Sequence, residues 1–339
     1  MTSDPRLPVP GDDDLREFSA DAHQPRSEPR DRKSAGRGPT LRRRDVYPYP
    51  VVDGRERREG PSRAILSGLR DLFVSKQAIE EARLEARLAA PPALTRSNTI
   101  AVVSAKGGVG KTTVTFLLGN LLASRLKVRA IAVDANPDFG TLAAFAPDAV
   151  RSDNSLVDLL AAMPRVTCAA EVWPFVSRLP TGLHLLGAPA NAELMEGITP
   201  HQYGELLAFL GQYYEIVLLD LGTGITDPFT QLAVHRADRV AIVTTPEWIT
   251  AITVSRALRH LDLASATLVV NQTQSSPAVD TGAIAHHFAG KGTARRFMIP
   301  YDEQLRTMLD TGTFTLDALS RATRLPVKQL GVEIAGELV

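Results

Sequence analysis

Ser104-Ala-Lys-Gly-Gly-Val-Gly-Lys-Thr-Thr113 is the most informative stretch of this 339-residue chain. It follows the apolar, β-branched run Thr99-Ile-Ala-Val-Val103, and it precedes Val114–Leu122, in which apolar residues recur every three or four positions. A strand, a glycine-rich turn and a helix in this order are the context of a phosphate-binding loop. The sequence therefore predicts a nucleotide site here, and the alternative is a glycine-rich turn without a function.

The residue types of this loop account for its expected chemistry. Gly107, Gly108 and Gly110 have no Cβ, so the backbone can curl tightly and point several N–H groups inward. These donors and the positive end of the helix that begins near Lys111 favour the β-phosphate of a nucleotide. Lys111 neutralises the β- and γ-phosphates, and the Thr112 hydroxyl is the expected Mg²⁺ ligand. The expected nucleotide-binding residues of the loop are Lys106, Gly107, Gly108, Val109, Gly110, Lys111, Thr112 and Thr113.

A second lysine makes the loop more specific. Ala105 stands where a standard phosphate loop has its first glycine, and Lys106 follows. The pattern Lys-Gly-Gly-Val-Gly-Lys-Thr resembles the deviant Walker A motif of the MinD/ParA family of ATPases. The resemblance implies ATP and Mg²⁺ as cofactors and an ATP-dependent homodimer, in which Lys106 reaches the phosphates bound by the other subunit. The alternative is a solvated loop lysine.

The run Lys127–Asp134 predicts a strand that ends in a carboxylate, in the crevice where open α/β sheets bind ligands. By resemblance it is the switch region of the family, commonly Asp-x-Asp, with Asp134 first but Asn136 in the second position. An asparagine can hydrogen-bond a water but cannot accept its proton. Asp138 is a possible substitute whose role stays open. The expected catalytic residues are Lys106, Lys111, Asp134 and Asn136, with slow, partner-stimulated ATP hydrolysis.

Two later strand ends complete the predicted site. Tyr214–Asp220 resembles the Walker B strand of the family, which implies that Asp220 binds Mg²⁺ through water and that Gly222 and Gly224 let the backbone approach the γ-phosphate. A helix cap is the alternative role for Asp220. Asn271 follows the strand Thr267–Val270, and the resemblance implies that its side-chain amide recognises adenine. The alternative for Asn271 is ordinary turn chemistry.

Strand and helix patterns alternate from Asn98 to the C-terminus, which predicts an α/β fold with a mostly parallel, doubly wound sheet of the P-loop NTPase type. The ATPase domain is expected over 98–339, after a helical linker over 61–97. Residues 1–60 are rich in Pro and charge and are expected to form a disordered arm. Within it, the basic tract Arg26–Arg44 is a candidate contact for nucleic acid or an anionic membrane, or a solvated tract.

The chain has a single cysteine and zero net charge, and it contains no run suited to a signal peptide or a membrane span. A cytoplasmic protein is expected, with membrane attachment only through partners. The arm and the Val-Asp-Ala-Asn-Pro-Asp-Phe-Gly-Thr-Leu segment resemble actinobacterial MinD-like ATPases linked to type VII (ESX) secretion.

The leading hypothesis is therefore an ATPase switch that serves type VII secretion or the spatial organisation of a cell-envelope machine, with a protein partner bound through the arm. A ParA-type DNA partition ATPase is the second hypothesis, although the basic clusters after Asn98, such as Lys291 with Arg295-Arg296, are small. A nucleotide-gated scaffold that hardly hydrolyses ATP is the third, suggested by Asn136.

Overall fold

A mixed sheet forms the centre of the molecule. The computed structural model describes residues 76, 78–90, 94–136, 140–261, 266–273, 281–288, 293–336 and 338. The predictions for the arm over 1–60, for the first part of the linker, for Asp138 and for Lys291 lie outside these residues. The strands are β1 (Asn98–Val103), β2 (Ala130–Ala135), β3 (Ser177–Arg178), β4 (His184–Leu186), β5 (Ile216–Leu221), β6 (Arg239–Thr244), β7 (Ala266–Thr273) and β8 (Thr293–Pro300).

The strand order is β3-β4-β2-β5-β1-β6-β7-β8. Strand β3 is antiparallel to β4, and all the other neighbours are parallel. Strands β2 and β5 are buried along their whole length, because helices cover the faces of a parallel sheet and leave no polar side. The predicted mostly parallel α/β fold is confirmed.

The helices connect these strands. They are α1 (78–89), α2 (Lys111–Leu121), α3 (Leu156–Ala162), α4 (Ala192–Glu196), α5 (Pro200–Leu210), α6 (Pro228–Arg236), α7 (Trp248–Ala257), α8 (Thr281–Phe288), α9 (Glu303–Thr311) and α10 (Arg321–Gly336). A π-helical turn, Leu122–Leu126, extends α2. Capping residues fix where several helices begin: Thr199 and Gln202 form a capping box at the N-terminus of α5, and Asp227 caps the N-terminus of α6.

Helix α1 belongs to the segment predicted as a linker, and it packs on the ATPase core. Its Leu84 and Leu88 are buried in the same apolar cluster as the side chains of α2. On the same face of α1, Glu81 pairs with Lys328 of α10 at 3.3 Å, and Glu85 pairs with the same ammonium at 2.7 Å. Because Lys328 is itself buried, these two carboxylates are what balances its charge.

The sheet topology brings the predicted site together. In parallel strands the carboxyl ends lie at one edge, so the loops after β1, β2, β5, β6 and β7 are neighbours there. Asp134 of β2 lies directly opposite Asp220 of β5 in the sheet register. Within the described residues, no helix is long and apolar enough to cross a membrane.

Candidate nucleotide site

The loop between β1 and α2 has the backbone that its glycines predict. Gly108 and Gly110 have φ angles of 75° and 93°, in the left-handed region that favours glycine. Gly110 is the N-cap of α2, and its carbonyl accepts the first helical bond from the N–H of Val114 at 2.9 Å. The first N–H groups of a helix have no intrahelical partner. The loop therefore ends in a helix N-terminus that is suited to a phosphate.

Gly110 is also required for a second reason. A Cβ at this position would collide with the side-chain amide of Asn271, which lies at the end of β7. The Asn271 Nδ2 group donates a hydrogen bond to the Val109 carbonyl oxygen at 2.9 Å. The loop and the strand end are thus tied by a contact that only a glycine at position 110 allows.

Lys111 is half-buried at the start of α2, on the side of Asp220. Burial lowers the pKa of the Lys111 ammonium, and the negative charge of Asp220 partly offsets that effect. Asp220 thus draws the ammonium towards the end of β5, where the triphosphate of a nucleotide on this loop would lie.

Asp220 fits a magnesium ion. Its side chain is 2% exposed, and its Oδ1 has no hydrogen-bond partner among the described residues. The pKa of Asp220 is raised to about 7, and burial is the main cause. The negative charge of Asp134 also raises this pKa, whereas the Thr112 hydroxyl and the Lys111 ammonium lower it. A buried carboxylate oxygen without a partner, beside a threonine hydroxyl, is the oxygen chemistry that Mg²⁺ prefers. The alternative role of a helix cap does not explain this free oxygen.

Asp134 has a different environment. It is fully buried, its Oδ2 accepts the N–H of Leu142 at 2.9 Å, and its Oδ1 accepts the N–H of Asn136 at 3.3 Å. Burial raises the pKa of Asp134 to about 6, against the effect of these two amides. A Cβ at position 140 would collide with the carboxylate, so only a glycine allows the backbone at this position to come so close to it. Asp134 therefore shapes the loop that follows β2.

The two remaining predicted residues lie at the surface of the site. Lys106 is exposed, and within the described residues its ammonium forms no hydrogen bond or ion pair. Its backbone N–H donates to the Ser104 hydroxyl at 3.3 Å, which holds the start of the loop. Asn136 is half-buried on the loop after β2, and its backbone binds Asp134.

Sequence reasoning missed two participants and one contact. The Leu142 amide binds the Asp134 carboxylate and Gly140 leaves room for it, while the contact that was missed joins the Val109 carbonyl to Asn271. The sequence after Asp134 contains Gly140, and a glycine there indicates that the backbone comes close to another group. The sequence does not identify that group as the Asp134 carboxylate. The Asn271 contact joins residues 162 positions apart, and no local pattern predicts it.

Comparison with known proteins gives the family. The AAA domain family matches residues 97–273, just over half of the chain. The ESX-1 secretion-associated protein EspI of Mycobacterium tuberculosis is 29% identical over 234 residues, which are 66% of this chain and 34% of EspI. The chain thus spans about a third of the length of that relative.

Two solved structures share the fold. A ParA family ATPase from Chlorobium tepidum has a TM-score of 0.60 at 22% identity and covers 68% of this chain and 96% of its own. The septum site-determining protein MinD of Pyrococcus horikoshii, solved with Mg-ADP, has a TM-score of 0.55 at 19% identity and covers 72% of this chain and 99% of its own. With the phosphate loop, Asp220 and the sheet order described above, the chain belongs to the AAA domain family as a MinD/ParA-like P-loop ATPase related to an ESX secretion-associated protein.

Proposed function

We propose that this chain is an ATP- and Mg²⁺-dependent switch, in which ATP closes a homodimer, a partner protein binds that state, and hydrolysis reopens it. One observation carries the proposal: the buried, unsatisfied Oδ1 of Asp220 lies at the strand end that faces Thr112 and Lys111. A carboxylate oxygen in this state is costly unless a cation or donor binds it. A Mg²⁺-nucleotide supplies that cation.

The described residues supply the rest of the binding site. The amides of Gly108, Val109 and Gly110 and the N-terminus of α2 would hold the β-phosphate, with Lys106, Gly107 and Thr113 completing the loop. Lys111 would contact the β- and γ-phosphates. Thr112 would hold Mg²⁺ directly and Asp220 through water, and the metal would neutralise charge on the phosphate oxygens.

Asn271 would give the site its preference for adenine. Because one N–H of its amide is committed to the Val109 carbonyl, the side chain is fixed beside the loop. Its Oδ1 is an acceptor, which suits the 6-amino group of adenine and opposes the 6-oxo group of guanine. We therefore expect ATP to bind more tightly than GTP.

Turnover is expected to be slow. Asp134 already accepts two backbone N–H groups, so its carboxylate is engaged in holding the loop. Asn136 can orient a water but cannot take its proton. Hydrolysis would then depend on positioning and on the positive charge of Lys106 and Lys111, and a partner that orders the loop would accelerate it. If no partner does so, the chain acts as a nucleotide-gated scaffold.

Lys106 would act across the dimer. Its exposed ammonium lacks a partner within the described part of its own chain, as a residue that reaches into another subunit requires.

The similarity to EspI supports a role in ESX secretion. We place that role in the cytoplasm, with a protein partner bound through residues 1–60. The DNA partition hypothesis has weaker support, since Arg295 on β8 is already paired with Glu333.

The test combines binding and assembly. Isothermal titration calorimetry of the full chain with ATP, ADP and GTP in Mg²⁺ should give heat for the adenine nucleotides. Light scattering should show a dimer with ATP and a monomer with ADP. Lys111→Ala should abolish binding, and Lys127→Ala, at an exposed position just after the π-helical turn, is the control that should bind normally. Absence of heat with the wild-type chain refutes the proposal.

A further inference from the structure

Tyr203 is a buried tyrosine that the proposed site does not use. It lies in the first turn of α5, and its side chain is 1% exposed. Its hydroxyl has no hydrogen-bond partner among the described residues. Buried hydroxyls nearly always have a partner, because losing water without replacement is unfavourable, so this one requires an explanation.

The surroundings of Tyr203 belong to the segment after Asp220. Its ring packs edge-on against the ring of Phe229 in α6, with the centroids 5.6 Å apart. Asp227 is the N-cap of the same helix, where its Oδ2 accepts the N–H of Thr230 at 3.2 Å. Tyr203 therefore packs against the helix whose start ends the 222–226 loop.

The electrostatics favour a donor role. Burial raises the pKa of Tyr203, and the negative charges of Asp134 and Asp227 raise it further. The hydroxyl thus keeps its proton at any physiological pH. The charges that act on it are the carboxylates of Asp134, near the end of β2, and of Asp227, at the start of α6. A carboxylate is a strong acceptor for a neutral hydroxyl.

The loop between Asp220 and α6 is tied to the start of that helix. Its middle residues Thr223 and Gly224 are exposed, whereas Ile225 is buried and its carbonyl accepts the side-chain amide of Gln231 at 2.7 Å. The loop and the first turn of α6 are therefore joined. A displacement of the loop by bound nucleotide would carry the Asp227 carboxylate with it.

We propose that the Tyr203 hydroxyl is a positioning group that donates a hydrogen bond to Asp227 when the 222–226 loop closes on a bound nucleoside triphosphate. This inference rests on the proposed function, since it requires that the chain bind ATP. Tyr203 lies on α5, outside the phosphate loop and the strand ends. Its hydrogen bond would favour the triphosphate-bound state over the diphosphate-bound state. A hydrogen bond formed only in the closed state contributes to that state alone.

The experiment compares Tyr203→Phe with the wild-type chain by calorimetry, using the non-hydrolysable analogue AMP-PNP and ADP, both with Mg²⁺. The variant should bind AMP-PNP about tenfold more weakly and ADP within about twofold, since a hydrogen bond to a charged group is lost in one state only. Its melting temperature without nucleotide should not fall, because the hydroxyl removed has no partner. Hydrogen exchange over 222–230 should be slowed by AMP-PNP in the wild-type chain and less so in the variant.

Tyr214→Phe is the matched control. Tyr214 is also a buried tyrosine, but its hydroxyl is already paired with His184 Nδ1 at 2.8 Å. This variant should lose stability and keep the wild-type ratio of the two affinities. Equal affinities for AMP-PNP in Tyr203→Phe and wild type, or an equal loss for both nucleotides, overturn the inference alone. A wild-type chain that binds neither nucleotide overturns the proposed function as well.

Discussion

Replacing Asp220 by asparagine should stabilise the protein in the absence of nucleotide and metal. The side chain is 2% exposed, and burial raises its pKa to about 7. In the unfolded chain an aspartate has a pKa of about 3.9. Because the folded pKa is the higher one, the contribution of this group to stability is complete below about pH 4 and is lost as the pH rises through 7.

The size of the effect follows from the difference between the two pKa values. About three pKa units correspond to about 4 kcal/mol of destabilisation at pH 8, and to less than half of that at pH 5, where the folded carboxyl is still protonated. Asparagine has nearly the same shape and no charge to desolvate. We therefore expect Asp220→Asn to raise the free energy of unfolding by about 4 kcal/mol at pH 8 and by clearly less at pH 5.

Urea unfolding followed by circular dichroism in EDTA, at pH 5 and pH 8, measures this difference. Asp153→Asn, at an exposed position, is the control and should have no effect at either pH. Saturating Mg-ATP should then stabilise the wild-type chain and not Asp220→Asn, because the variant lacks the anionic oxygen for the metal. A variant less stable than wild type at pH 8, or a gain that is equal at both pH values, would show that the buried charge is not the cause.

Three further predictions concern the dimer, the first helix and a buried histidine. Lys106→Ala should keep Mg-ATP binding and lose ATP-dependent dimerisation in light scattering. If this variant dimerises normally, Lys106 is only a solvated lysine of the loop. A chain that starts at residue 91 should melt below one that starts at residue 76, since it leaves the buried Lys328 without its two carboxylates; equal melting in calorimetric scans would contradict this. Burial lowers the pKa of His184 to about 4, so the contribution of this group to stability should be lost as the pH falls from about 6.5 to 4, and His184→Gln should be stabilised relative to the wild-type chain over that range in urea titrations.

The parts of the fold that sequence could predict are those that local patterns determine. The strand predicted over Thr99–Val103 is observed as Asn98–Val103, and the one over Tyr214–Asp220 as Ile216–Leu221. Both are short, largely apolar runs that end at a turn or a carboxylate, and such runs have few alternatives in an α/β chain. The glycines of the phosphate loop were equally informative, because a left-handed φ at position 110 admits few other residues.

The parts that sequence could not predict depend on contacts between distant segments. The pairing of Glu81 with Lys328 joins residues 247 positions apart, so no local pattern predicts it. The sequence also does not show that the Tyr203 hydroxyl lacks a hydrogen-bond partner among the described residues, because only the packed structure reveals this. Helix periodicity predicts that a residue is buried, but not whether its polar atom is satisfied.

The charges at the strand ends give a physical reason for the proposed homodimer. Asp134 and Asp220 lie opposite each other on neighbouring strands, both buried, and the charge of Asp134 raises the cost of ionising Asp220. Lys111 is the cation of the described residues that faces Asp220. A triphosphate adds more negative charge than Lys111 and one Mg²⁺ neutralise, so a further cation at the phosphates lowers the energy of the bound state. In the proposed function Lys106, exposed at the start of the loop, supplies that charge to a second copy, and this is the physical reason for which we expect ATP to favour a dimer.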